Sequence, residues 1–324
     1  MLLGNRYPFT PNFALAFTLF FLNGYMAVAQ DREELPPYEE GRVILHSQGP
    51  EAAIAYFEKL AGETGSLKGL FGLGWAWWED GNIEEAELIT KFVLARAKGK
   101  NLIANCHFLL GYIFSQKGEL LDAELHMTQA RDLYEEKGKD DNLYKALCGL
   151  ASIQIKAQNF LEAEVTLREA NEVYVNYQKK PDSKRATPPS QAYYYELLSR
   201  VAFGLGHYSQ ALRHSEMSYQ QYDEAGDRVR SVQALSAVGF FKIINGQIEE
   251  GLEDTKRVDE IIYATDSEYK RLSYYNAINW IIAYRCSGNE YDELEKSVRQ
   301  GINDNKDLLL MKQLKFALGW NCGK

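Results

Sequence analysis

From residue 66 onward the chain repeats one pattern: an apolar helical stripe, a short polar cluster, then a second stripe that opens on a small residue. The first stripes run Leu70, Leu73, Gly74, Trp77; then Leu110, Gly111, Phe114; Leu147, Leu150, Ala151; Tyr195, Leu198, Ala202; Leu235, Val238, Gly239; and Ala277, Trp280, Ile281, Tyr284. These spacings of three, four and seven place the apolar residues on one face of an α-helix. The polar clusters between stripes include Gly81-Asn-Ile-Glu-Glu-Ala86, Gly118-Glu-Leu-Leu-Asp-Ala123, Gln158-Asn-Phe-Leu-Glu-Ala163, Gly206-His-Tyr-Ser-Gln-Ala211 and Gly246-Gln-Ile-Glu-Glu-Gly251, with a looser copy from Gly288 to Leu294. They end at 86, 123, 163, 211, 251 and 294, so the period is 37, 40, 48, 40 and 43 residues. Small residues then recur seven or so positions on, as in Ala123 with Ala130 and Ala163 with Ala170. Each unit predicts a helix, a tight turn and a second helix, with glycine supplying the turn's backbone freedom.

These residues resemble the tetratricopeptide repeat (TPR) family. Leu70-x-x-Leu73-Gly74-x-x-Trp77 followed by Ala86, and His107-x-x-Leu110-Gly111-x-x-Phe114 followed by Ala123, Met127 and Ala130, match its signature. Other copies depart from it. Gln154 and Lys242 stand where an aromatic is expected, Gly251 replaces alanine, and the proline after the second helix is missing. The spacing resembles the longer, roughly 40-residue version of the repeat. The fold class implied is all-α, a right-handed α-solenoid. Its expected parts are a divergent first repeat at 37–65, six TPR-like repeats over 66–303 with a basic, proline-bearing insert at 177–190, and a capping helix within 304–324.

The first thirty residues follow a different pattern. Arg6 precedes an apolar run from Phe13 to Leu22, and Ala27-Val28-Ala29 stands before Gln30. That order predicts a secretory signal peptide at 1–29, with 30–36 a short linker. The apolar run is about half the ~20 residues a membrane-spanning helix needs, so the expectation is an exported, periplasmic or extracellular chain with no stable membrane insertion after cleavage. The bacterial route is favoured by the absence of any Asn-x-Ser/Thr sequon. A net charge of −9 disfavours nucleic acid as a partner. Cys106, Cys148, Cys286 and Cys322 form no C-x-x-C pair and read as buried free thiols.

No catalytic constellation emerges. The five histidines have no companions completing a metal set, and phosphate-binding and nucleophile-elbow motifs are absent, so no catalytic residue, cofactor or metal is predicted. The candidate chemistry is recognition. Spacing alone makes Trp77 a core residue, while Phe71, Trp75 and Trp78 form a second stripe rotated by about 100°. In TPR arrays that stripe faces the concave groove, so the resemblance implies a partner-binding groove lined by Phe71, Trp75, Trp78, Phe108, Tyr112, Arg200, Phe203 and Phe240. The bland alternative is that the first three rings are covered by the divergent first repeat. The lysine-rich clamp by which chaperone-binding members hold a C-terminal carboxylate is absent, with Lys145 and Arg200 as isolated groove cations. The expected role is a non-catalytic scaffold binding a protein or peptide segment. A glycan-associated accessory of polysaccharide export, and a structural envelope subunit or homo-oligomer, are the alternatives.

Overall fold

A computed structural model describes residues 37–179, 188–264, 270–305 and 308–322. The predicted signal peptide and linker, and most of the 177–190 insert, lie outside the described residues. Among the described residues there are fifteen α-helices and no strand. The chain divides into two compact units, Met1–Thr187 and Pro188–Lys324.

In the N-terminal unit the helices form four hairpins: α1 (Pro37–Gln48) with α2 (Pro50–Thr64), α3 (Leu67–Glu79) with α4 (Ile83–Arg96), α5 (Lys100–Lys117) with α6 (Leu120–Glu136), and α7 (Asp140–Lys156) with α8 (Phe160–Gln178). The small residues opening each second helix have a packing cause. Ala86, Ala123 and Ala163 are wholly buried. Gly111 lies so close to Met127 that a Cβ there would come within 2.9 Å of its methyl carbon. Large side chains at these points would hold the paired helices apart.

The C-terminal unit continues the pattern with α9 (Pro188–Gly204) and α10 (Tyr208–Glu224), α11 (Arg228–Ile244) and α12 (Ile248–Ala264), and α13 (Lys270–Ser287) and α14 (Asp292–Asn305). A final helix, α15 (Leu308–Gly319), buries Leu310, Leu314 and Ala317 in a cluster that includes Ile278, Ile281 and Ile282 of α13. Within this unit Gly251 is the residue the helix crossing requires. A Cβ on Gly251 would come within 2.7 Å of the Gly239 carbonyl oxygen, so alanine does not fit.

Two of the four cysteines depart from the free-thiol expectation. Cys286 and Cys322 form a disulfide, with Cα atoms 5.1 Å apart, whereas Cys106 and Cys148 are buried free thiols. The cause is the packing of α15 on α13, which brings the C-terminal ends of the two helices together; the Arg285 guanidinium donates to the Ala317 carbonyl at 3.3 Å.

The turn of the α7–α8 hairpin carries a strained residue. Gly81, Gly118, Gly206, Gly246 and Gly288 hold their hairpin turns with φ between 73° and 88°. The matching residue here is Gln158, with φ of 66°, the sole non-glycine at positive φ among the described residues. A left-handed conformation costs an L-residue roughly 1–2 kcal/mol, and glycine's extra freedom in the unfolded chain returns about 0.5–1 kcal/mol of that. Gln158→Gly is therefore expected to raise the urea midpoint of the N-terminal unit by the equivalent of about 0.5–1 kcal/mol. A lowered midpoint would show that the glutamine side chain contributes more than the turn strain costs.

Candidate functional site

The first helices of the four N-terminal hairpins converge on a partly enclosed cavity of about 190 Å³. Its lining comes from Tyr38, Glu39, Arg42, Leu45 and His46 of α1, Phe71, Gly72 and Trp75 of α3, Asn105 and Phe108 of α5, and Asn142 and Lys145 of α7. Phe57 of α2 and Tyr134 of α6 complete it.

One wall is aromatic. Trp75 stacks on Phe108 with centroids 6.2 Å apart and planes 9° from parallel, and Phe71 lies 6.3 Å from Trp75 and 6.3 Å from Tyr38. Trp75 is half-buried and its indole Nε1 donates to Glu79 Oε1 at 2.8 Å, which fixes the ring. Phe71 and Phe108 are themselves buried, Phe71 with Tyr38 of the divergent first hairpin against it, so the half-buried Trp75 is the ring of this wall that offers flat apolar area at little further entropic cost.

The other wall is polar. The Tyr134 hydroxyl donates to Asn105 Oδ1 at 2.7 Å, leaving the Asn105 amide nitrogen without a partner among the described residues; the Asn142 carboxamide likewise has none. Burial raises the Tyr134 phenol well above its ordinary range, so it stays a donor and holds the Asn105 amide nitrogen in place. A carboxamide carries both a donor and an acceptor, the complement of a peptide unit.

Charge in the cavity is more organised than the sequence indicates. Lys145 is buried and paired with Asp141 at 2.5 Å. Burial lowers its pKa, Asp141 acts in the opposite direction, and Arg42 lowers it further. So Lys145 is not an isolated cation: α1 brings Arg42, itself paired with Glu39 at 2.9 Å, into the same cavity. Burial, and then Arg42, push His46 down to about 4, which keeps this imidazole neutral near pH 7.

Of the eight predicted groove residues, Phe71, Trp75 and Phe108 line the cavity. Trp78 and Tyr112 are buried behind it, 5.6 Å apart, filling space between α3 and α5. Trp77, expected in the core, is only half-buried, against the cluster around Phe57 and Leu73. The order of burial between Trp77 and Trp78 is thus the reverse of the expectation, because the next hairpin covers the Trp78 face. In the C-terminal unit Phe203 and Phe240 lie 5.6 Å apart and pack beneath Phe316 of α15, at 5.0 and 5.9 Å. Arg200 is half-buried and paired with Glu196 at 2.5 Å. Sequence reasoning missed Arg42, Asn105 and Asn142. Asn105 and Lys145 both stand eighteen residues before the alanine of their own turn, Ala123 and Ala163, and that shared register was the available signal.

Two of the histidines, both half-buried, meet between paired helices. His107 Nδ1 and His126 Nδ1 are 2.8 Å apart between α5 and α6, with burial pushing His107 to about 4 and lowering His126. One ring donates to the other, so the contact requires at least one neutral imidazole.

No protein-family model matches the chain, and no curated protein matches it. Solved structures do. The chain is similar to a signal-transduction ATPase (STAND) with a tetratricopeptide repeat sensor from Pyrococcus horikoshii, at a TM-score of 0.63 and 15% identity, over 87% of this chain and 44% of that one. It therefore spans less than half of that ATPase. It is also similar to a Rap protein complexed with Competence and Sporulation Factor, at 0.61 and 15% identity over 87% and 81% of the two chains. A third match is the apo quorum sensor NprR from B. thuringiensis, at 0.58 and 13% identity over 87% and 78%. At these identities the likeness establishes the fold: an all-α chain of TPR-like helical repeats.

Proposed function

We propose that this chain is an exported, non-catalytic TPR-like scaffold that binds a peptide segment of a partner in the cavity of its N-terminal unit. The observation that carries the reading is the pairing of a fixed aromatic wall with two carboxamides that have bonding capacity to spare. Aromatic faces take apolar side chains, while the amides of Asn105 and Asn142 pair with main-chain groups whatever the sequence. The likeness to a Rap protein in complex with a named factor, and to a quorum sensor, supports recognition as the role. Export is supported by the predicted signal and by the Cys286–Cys322 disulfide, a bond that persists in oxidising compartments. No helix among the described residues is long and apolar enough to cross a membrane.

The test is a phage-displayed random peptide library selected on the chain from Gln30. Enriched peptides are expected to lose at least tenfold in affinity, about 1.4 kcal/mol, on Asn105→Ala or Asn142→Ala. Trp75→Ala is expected to cost as much or more, since buried aromatic anchors dominate binding. Failure to enrich any peptide, or peptides indifferent to all three substitutions, sinks the reading.

A further inference from the structure

The opposite flank of the N-terminal unit carries a second feature, which the cavity does not use. Three successive second helices each expose an apolar pair one turn apart: Leu88 and Phe92 on α4, Leu121 and Leu125 on α6, Leu161 and Val165 on α8. These side chains are between 44% and 85% exposed. Leu88, Leu125 and Val165 each stand two residues after the alanine of their turn; Leu121 and Leu161 each stand two residues before it. The pairs on α6 and α8 are therefore in repeat register; α4 shares one of their two positions, through Leu88, while Glu84 holds the other. Isolated exposed leucines need no explanation, but a periodic set on consecutive helices does. In the C-terminal unit the same two positions hold Ser209 and Arg213, then Glu249 and Glu253. The repeat itself does not require apolar residues there.

Charge identifies the occupant. The helices Ile83–Arg96, Leu120–Glu136 and Phe160–Gln178 carry twelve Asp or Glu against four Lys or Arg, a net −8 in a chain of net −9. Asp122, Glu162 and Glu164 are exposed beside the apolar pairs. A second copy docking on this flank would bring two strongly acidic faces together, and an anionic lipid surface is excluded by the same sign. We infer that this flank docks a basic amphipathic segment of a partner protein, with leucine-like side chains against the exposed pairs and Lys or Arg against the surrounding carboxylates.

The probe is a fluorescein-labelled eighteen-residue peptide of leucine and lysine, with leucines at positions i, i+3, i+4 and i+7. A twin with glutamate in place of lysine is the control. Both are titrated by anisotropy onto the full chain and onto Leu121→Gln/Leu161→Gln, which keeps every charge and alters only exposed positions. The lysine peptide is expected to bind the wild type at least tenfold more tightly than the double variant, to weaken as salt rises, and to weaken again with Glu162→Gln/Glu164→Gln. The glutamate twin is expected not to bind. The inference is overturned if the lysine peptide fails to bind, if the leucine variant binds it equally well, or if the glutamate twin binds equally. It is also overturned if light scattering shows a wild-type dimer that the leucine variant makes monomeric, since a second copy then occupies the flank.

Discussion

Phe57→Ala is expected to destabilise the N-terminal unit by about 3–5 kcal/mol, the range for deleting a wholly buried phenylalanine. Phe57 has no exposed surface and sits between two glycines. A Cβ on Gly41 would come within 2.4 Å of its ring, and one on Gly72 within 2.3 Å. The ring thus occupies the space that side chains on α1 and α3 would fill. Tyr56 and Tyr38 lie 5.6 and 6.0 Å from it, so removing the ring leaves a void bounded on two sides by backbone. Backbone collapses into a cavity less readily than side chains do, which favours the upper part of the range. Hydrogen exchange followed by mass spectrometry, reading peptides from α1 to α3, measures the loss locally. On the proposed reading of the cavity as a peptide site, the same substitution is expected to abolish that binding, because Phe57 lines the cavity and α1 carries Arg42 and His46. A loss below about 1 kcal/mol would mean that α1 is held by something other than this ring.

The fold was legible in the sequence because the repeat encodes a local geometry six times over. The glycine-to-alanine clusters state where each hairpin turns, and the stripes before and after them state which helical faces pair. Degenerate copies stay legible because their odd residues are satisfied in place. Gln154, where an aromatic is expected, is buried with its carbonyl oxygen accepting from the Thr166 hydroxyl at 2.8 Å. Gly251 is imposed by the close approach of α11 and α12.

The candidate site was less legible, since a periodic pattern identifies faces without saying what covers them. Trp75 and Trp78 share one stripe, yet Trp75 borders the cavity and Trp78 is shut behind Tyr112. That difference depends on where α5 crosses α3. The polar wall was hidden for another reason: its cations and amides come from three different hairpins, and the one shared register, that of Asn105 and Lys145, pairs two different residue types in only two copies. Arg42 was the hardest to foresee, because it belongs to the divergent first hairpin, which lacks the motif that aligns the others.

The disulfide sets the second large expectation. Cys286→Ser/Cys322→Ser should cost the C-terminal end of the chain about 3–4 kcal/mol, the loop-closure value for a cross-link of this span. The two cysteines are 36 residues apart, and the loop they close contains α14 and α15. What the bond secures is the lid over an apolar face. Phe316 of α15 contacts Phe203 and Phe240, and Trp320 packs on Tyr208 at 5.2 Å. With the tie cut, α15 relies on its own packing alone, and its fraying would expose Phe203 and Phe240. Thermal unfolding with and without a phosphine reductant separates the bond from the side chains. The wild type is expected to lose stability on reduction, while the double serine variant starts lower and does not respond. Thiol titration of the denatured wild-type chain, without reductant, should find two free thiols, those of Cys106 and Cys148. Four thiols in protein recovered from an oxidising compartment would refute the bond. Two thiols in exported protein with four in protein retained in the cytosol would tie the stability of this end to export itself.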